Sequence, residues 1–523
     1  MASTLPSRIL GFGIAGAIAL PWLALLLLLP GCRPDTSLNA HVLVVVNGNS
    51  PISVATGAYY AAQRKVPAAN IVTLNNTTTD PTLGDRGHEI VSLPRFDSQI
   101  RIPLETHLID NGLVDQIEIL VLAPGVPHQM APTSCPLDNF YLRDCPRASV
   151  DAELAVLFSD LVGSGGLGSD GEAANPYYDS DLSFSEWRAA HPDAPLRYLV
   201  ARLAGYQTAV DPETGVPADV KALIDRARQH VLGGRALLDE DPTRSLGLQP
   251  GNLLLLGPAA AALGALGLPV QHDVANTFVS DAPDLVAYGA WGSNDGGDAG
   301  PPFYGRIDDK LYPGTFLPQS VVVDIVSTNA RSFIDPPSYG QSLVTDLVRL
   351  GATGVAGNVF EPLLSGVARP EVLFRHYFRG VPAIEAYYRS VPYLSWMNVW
   401  VGDPLMRFAV PLPAVEDSDG DGLPDAFDNC VYVPNSDQRD TDGDGFGNLC
   451  DADVDNDGRV TTSWGAIFPP SQRGDLELIL LTAAAGAYDA NHDLDGNGVV
   501  DDLDGSLASM LLYRPPGPSG LAP

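Results

Sequence analysis

Val42-Leu43-Val44-Val45-Val46, entered from His41 and left through the turn Asn47-Gly48-Asn49-Ser50-Pro51, is a strand-length run with no polar face. A strand that covers one side of a sheet alternates apolar and polar residues; one buried on both sides does not. Ile117-Glu118-Ile119-Leu120-Val121-Leu122-Ala123 and Tyr198 to Leu203 read the same way. So do Asn252 to Leu256, Leu285 to Gly289, Val321 to Ile325 and, as the last central strand, Val355 to Val359, with Ile71 to Leu74 a shorter one. Helical stretches separate them: Pro51 to Arg64, Leu104 to Ile109, Asp151 to Leu161, Ala218 to Val231, Tyr339 to Leu350 before Gly351, and Ala383 to Tyr388. The alternation predicts an α/β domain over residues 40–410, a mostly parallel sheet sandwiched by helices. Residues 33–39 and 411–416 read as linkers.

The 523 residues are 45% hydrophobic, enough for a large core and appendages. Charge is uneven: of the net −33, residues from Glu416 onward hold −18, with 22 acidic against 4 basic side chains. An acidic surface repels phosphate, so nucleic acid is excluded as a partner.

That acidic end is patterned. Asp417-Ser418-Asp419-Gly420-Asp421-Gly422 leads to Asp425 and Asp428, and Asp440-Thr441-Asp442-Gly443-Asp444-Gly445 leads to Asp451. Asp453, Asp455 and Asp457 precede Gly458; Asp493, Asp495 and Asn497 precede Gly498, Asp501 and Asp504. Oxygens at alternate positions converge on one ion when the chain curls, and the glycine supplies the sharp turn. Several Ca2+ ions are the expected cofactors, since calcium accepts an all-oxygen cage. The last loop fills positions 1, 3, 5, 6, 9 and 12 of an EF-hand-type loop, with Asp504 closing it. In the third, Trp464 stands at the closing position. Either Asp475 closes it after an insertion or the site is weaker; Asp475-Leu476-Glu477-Leu478-Ile479-Leu480-Leu481 reads as an exiting helix and favours the insertion. A solvated acidic linker does not explain a glycine behind four such triplets.

Residues 417–451 resemble a thrombospondin type 3 repeat, through the Asp triplets, Asp428-Asn429-Cys430, Asn435 to Gln438 and Cys450-Asp451, departing at Val431 and Asn448. Residues 452–513 resemble a dockerin pair of calcium loops, and 514–523 read as a disordered tail. The resemblances imply calcium-folded extracellular modules, a Cys430–Cys450 bridge, and docking to a cohesin-like partner.

At the other end, Arg8 precedes the apolar run Ile9 to Leu29, and Leu29-Pro30-Gly31-Cys32 follows. Residues 1–32 read as a secretory signal, with an uncleaved spanning helix as the alternative. Leu29 to Cys32 resembles a bacterial lipobox, implying lipidation at Cys32 and a membrane anchor. Cys135 and Cys145 bracket a loop that could close as a disulfide, so the expected setting is exported and oxidising, extracellular or on a bacterial surface.

Function in parallel sheets gathers at the carboxyl ends of the strands. Two such loops stand out, Trp291-Gly292-Ser293-Asn294-Asp295-Gly296-Gly297 and Ser327-Thr328-Asn329-Ala330-Arg331-Ser332-Phe333. Asp295, Ser293, Asp324, Ser327, Thr328 and Arg331 could converge there; turn-making alone is the competing explanation. The motifs Tyr59-Tyr60, Arg64, Ser149 to Glu153, Tyr198 to Leu203, Trp291 to Asp295, Ser327-Thr328 and Gly402-Asp403-Pro404-Leu405 resemble an uncharacterised family of exported bacterial proteins. Their layout is similar in turn to the gingipain-like, caspase-fold cysteine peptidases. The peptidase residues do not carry over. Trp291 stands where that family has its histidine, Ser327 to Asn329 fill the nucleophile's region, and no cysteine lies between 146 and 429.

Two readings follow. One is an exported calcium-binding surface protein with a noncatalytic large domain and a tail acting as calcium-stiffened spacer or dock. The other is a secreted hydrolase of peptide or polysaccharide using Asp295, Ser327 or Thr328, whose hydroxyls would need a carboxylate base raised by burial.

Overall fold

A computed structural model describes residues 38–75, 89–131, 147–165, 167–168, 171–229, 231, 233–240, 255–275, 278–291, 313–335, 341–408, 418–421, 423, 425, 428–463, 473–519 and 521. The leader at 1–32, the linker at 411–416, Cys135, Cys145 and most of the 291–297 loop lie outside these residues. Residues 35–523 form one compact unit.

Its spine is a ten-stranded sheet. In chain order the strands are β1 (Val42–Asn47), β2 (Ile71–Leu74), β3 (Ile119–Leu122), β4 (Leu199–Arg202) and β5 (Arg235–Asp239), then β6 (Val270–Asp273), β7 (Ala282–Ala290), β8 (Gly314–Asp324), β9 (Gly354–Asn358) and β10 (Asn398–Gly402). Across the sheet they run β6-β5-β7-β8-β9-β10-β4-β3-β1-β2. All neighbours are parallel except β9 and β10, which pair antiparallel from Gly354↔Gly402 to Asn358↔Asn398. From either edge inward the sequence of strands is therefore second, first, third, fourth, fifth: two parallel half-sheets of one topology, joined back to back. β1, β3, β4, β9 and β10 are buried along their whole length, as runs without a polar face require.

The helices used below are α1 (Pro51–Arg64), α2 (Ile102–Asp110), α3 (Val150–Ala155), α4 (Phe184–Ala190), α5 (Ala218–Arg226), α6 (Gly257–Ala265), α7 (Val344–Arg349), α8 (Pro370–Phe378), α9 (Ala383–Ser390), α10 (Asp475–Ala485) and α11 (Asp502–Leu511). Among the described residues no helix is long and apolar enough to cross a membrane.

Three expectations change. Leu255 and Leu256, expected on a strand, are helical and lead into α6, whose first turn holds Pro258; a short apolar run does not reveal its period. Val355 to Val359 is not the last central strand, because β10 follows and seals the join between the half-sheets. The expected helices at 151–161 and 339–350 shrink to α3 and α7.

Several motif residues turn out to brace this frame. Asp403 accepts from Tyr60 Oη at 3.1 Å and from Arg64 Nε at 2.6 Å, tying α1 to the turn after β10. Arg202 Nη2 meets Asp151 Oδ2 at 2.6 Å, both fully buried. Ser149 caps α3 by accepting from Ala152 N at 2.9 Å, and its hydroxyl donates to Asn398 O at 2.7 Å.

The acidic tail lies against this domain. Its apolar residues Val460, Ile479, Leu507 and Met510 join the same continuous core as the sheet. Tyr513 stacks edge-on to Tyr393 with ring centroids 5.9 Å apart and donates to Glu172 Oε2 at 3.0 Å.

Candidate functional site

Of the candidate catalytic residues, Asp295 and Ser293 lie outside the described residues. Ser327 and Thr328 sit in the turn after β8. Thr328 gives both its amide (3.0 Å) and its hydroxyl to Gln341 Oε1, and Arg331 clamps the same turn by donating to Thr328 O and Gln341 O, each at 3.1 Å. Asp324 is buried, which pushes its carboxyl up to about 7 despite the hydrogen bond from Ser342 Oγ at 3.0 Å. Among the described residues neither Ser327 nor Thr328 is hydrogen-bonded to a carboxylate or an imidazole. Trp291 is half-buried and packs on the core.

The tail is different: its carboxylates converge. Asp419, Asp421 and Asp428 form one group; Asp440, Asp442 and Asp444 a second; Asp453, Asp455 and Asp457 a third; Asp493, Asp495 and Asp504 a fourth. In each, the ligand atoms lie within 4.8 Å of one another.

Local backbone makes these groups. Gly445, Gly458 and Gly498 adopt φ of 98°, 96° and 87°, a region open to glycine, and so reverse the chain behind each triplet. The reversal aims each glycine amide at the first Asp: Gly445 N to Asp440 Oδ2 at 3.1 Å, Gly458 N to Asp453 Oδ2 at 2.6 Å, and Gly498 N to Asp493 Oδ2 at 3.1 Å.

Closure of the last two loops is equivalent. Asp504 accepts at Oδ1 from Leu494 N (2.7 Å) and Asp495 N (3.4 Å), and at Oδ2 from Asp501 N (2.8 Å). Asp475 accepts at Oδ1 from Asp455 N (3.3 Å) and at Oδ2 from Thr461 N (2.7 Å). Counted from the first Asp of each loop these donors hold matching places, the third and the ninth, so Asp475 stands where Asp504 does. Each carboxylate heads a helix, α10 or α11, and the helices approach closely enough that a Cβ on Gly505 would lie 2.5 Å from Leu480 Cδ2.

Other candidates hold supporting places. Asp425 lies outside the first group and binds Ser418, accepting from its amide at 2.5 Å and its hydroxyl at 2.6 Å. Asp501 caps α11 in a reciprocal capping box with Asp504. Asn497 Nδ2 donates to Asp495 Oδ2 at 3.0 Å, and Asp451 accepts from Asp453 N at 2.8 Å. Asp417 lies outside the described residues. Cys430 and Cys450 are joined, with Cα atoms 5.7 Å apart.

The electrostatics of the groups are unfavourable on their own. Burial, with the neighbouring carboxylates adding to it, raises Asp444, Asp455, Asp495 and Asp504, and lifts Asp451 to about 7 and Asp475 to about 6. Asp428 is fully buried and raised by that burial; its Oδ1 serves Cys430 N and Gln438, but its Oδ2 has no hydrogen-bond partner among the described residues. A divalent cation answers both features.

Two contributors have roles the sequence reading did not assign. Gln438 Nε2 donates to Asp428 Oδ1 at 2.7 Å while its Oε1 accepts from Asn429 N at 2.8 Å. Arg439 Nη1 lies 3.5 Å from Asp493 Oδ2 and links the first repeat to the last loop. The N-x-x-Q spacing signalled the first; nothing in the sequence signalled the second.

No protein-family profile matches the chain. Among curated proteins, Thrombospondin-4 of Xenopus laevis is 51% identical over 53 residues, 8% of this chain and 6% of that protein. Thrombospondin-3a of Danio rerio is 58% identical over 55 residues, again 8% and 6%. Cartilage oligomeric matrix protein of Mus musculus is 60% identical over 69 residues, 11% and 8%. The chain thus spans 6 to 8% of the length of these relatives. What they share with it is short, and it supports a thrombospondin type 3 calcium-binding repeat region in this chain.

Proposed function

We propose that this chain is an exported calcium-binding surface protein whose tail is assembled by several calcium ions, with a large domain that binds or scaffolds rather than catalyses. The observation that carries this reading is the set of four carboxylate triplets with ligand atoms within 4.8 Å. Collecting so many like charges in partly buried loops is unfavourable until a cation is supplied, so calcium binding and tail folding are one event. Millimolar extracellular calcium suffices, with sites of this kind binding at about 0.1 to 1 mM. The cystine in the tail fits an oxidising location.

The last two loops and their helices are a dockerin-like, EF-hand-type module in this reading. Leu480 and Leu481 are exposed on α10, which supports a docking surface for a cohesin-like partner. Lipidation at Cys32 would hold the protein at the membrane, and the α/β domain would be a caspase-like scaffold without the peptidase residues. A hydrolase reading has less support, because Gln341 holds Thr328 and Ser342 holds Asp324.

Equilibrium dialysis of the full chain against calcium tests the proposal, with Asp493→Asn/Asp495→Asn as the comparison. Retention of several ions, fewer in the variant, is expected; retention of none at about 10 mM, roughly ten times the weaker affinity above, would overturn it.

A further inference from the structure

We infer that α8 is a three-point latch coupling the calcium state of the tail to the α/β domain. The inference rests on the calcium reading above and adds a consequence for the large domain. Helix α8 and its flanks carry three arginines, and each reaches a different part of the tail. Arg369 Nη2 donates to Met510 O at 2.6 Å. The Arg375 guanidinium lies 3.2 Å from the centre of the Tyr432 ring. Arg379 Nη2 donates to Ser418 Oγ at 3.2 Å.

These tail positions belong to different calcium-dependent pieces. Ser418 is bound to Asp425 and adjoins Asp419 of the first group. Tyr432 follows Cys430 in the disulfide-closed repeat. Met510 is on α11, whose first turn contains Asp504. The latch is answered from the tail side by Arg514, which lies 4.5 Å from the Tyr178 ring centre.

The contacts matter because two of the three arginines are buried. Arg369 and Arg375 are each 1% exposed, and Arg375 pairs with Asp179 at 2.5 Å. Arg369 Nε, and Nε and Nη1 of Arg375, have no hydrogen-bond partner among the described residues. A small cavity of about 20 Å³ lies where Arg369 meets the tail, lined by Arg369, Glu371, Tyr432 and Arg514. A buried cation needs its surroundings intact, and here the tail supplies part of them. When calcium leaves, carboxylate repulsion opens the tail and withdraws the carbonyl of Met510, the ring of Tyr432 and the hydroxyl of Ser418 together. By linkage, calcium strengthens the latch by the same factor as the closed latch strengthens calcium binding, so weakening the latch must weaken calcium binding too.

Hydrogen exchange on the full chain, with calcium and with chelator, tests the latch alongside calcorimetric titration. Calcium is expected to slow exchange in residues 370–378, outside the tail itself. Tyr432→Ala should bind the same number of ions about fivefold or more weakly and lose that protection; Arg379→Ala, an exposed position, is the milder second variant. If ions bind but exchange in 370–378 is unchanged by calcium, the latch is overturned and the calcium reading stands. If titration shows no binding at all, both fall.

Discussion

Asp475 and Asp504 receive backbone amides from matching loop positions although only one closes a loop of regular length. Asp475→Asn keeps the shape and removes a charge from the third site, so its calcium affinity should drop about tenfold with the fourth site unchanged; site-resolved titration checks this. Asp324 makes a pH prediction. Its folded value of about 7 exceeds its ordinary 3.8, so the folded chain holds a proton that the unfolded chain has released. Burying that charge costs its full stability above pH 7; the cost shrinks as pH falls below 7 and is gone near 3.8. Asp324→Asn should therefore raise the unfolding free energy at pH 8 by on the order of 4 kcal/mol, seen as a higher Tm, and make little difference at pH 4. Alternating Asp, Asn and Gly made the metal groups readable, because a ligand loop is local. The partners of Thr328 and Arg375 were not readable, since Gln341, Asp179 and Tyr432 come from elsewhere in the chain.

The strands that could be read were those with an apolar centre, β1, β3, β4, β7, β8 and β9, and the shorter β2. β10 escaped notice because Asn398 and Gly402 flank a short core, although Asn398 is buried and bonds Asn358 Oδ1 at 2.9 Å. α4 carried a signal that went unused, Ser183 and Glu186 forming a reciprocal capping box. α8 is buried along its length, but it too carried unused signals, Pro370 and Glu371 in its first turn and Arg375 and His376 in its last. In the tail, the Cys430–Cys450 bridge closes a segment with a sequence separation of 20 residues. Replacing both cysteines by serine should cost about 3 kcal/mol, largely by freeing the unfolded chain; denaturant unfolding in saturating calcium measures it.

Across the chain, the sequence yields an α/β domain and an acidic tail but not their packing, because the contacts between them are long-range and come from scattered apolar residues and arginines rather than from a patterned face. The calcium proposal makes a prediction for the whole chain. Each independent site that binds only the folded form should add about 2.7 kcal/mol at a hundredfold excess of calcium over its Kd. Thermal unfolding of the full chain should shift upward with calcium and should not do so with magnesium at equal concentration, since magnesium prefers smaller octahedral sites. A shift of equal size with both ions would point to general screening of the −33 charge.

The displaced closing ligand of the third loop bears on the order in which the sites fill. Asp475 lies 22 residues beyond Asp453, whereas Asp504 lies 11 beyond Asp493. Doubling a loop raises the entropy cost of closing it by about 0.6 kcal/mol, roughly a threefold penalty in occupancy. As calcium rises, the fourth loop should fill before the third, an order that site-resolved titration would show.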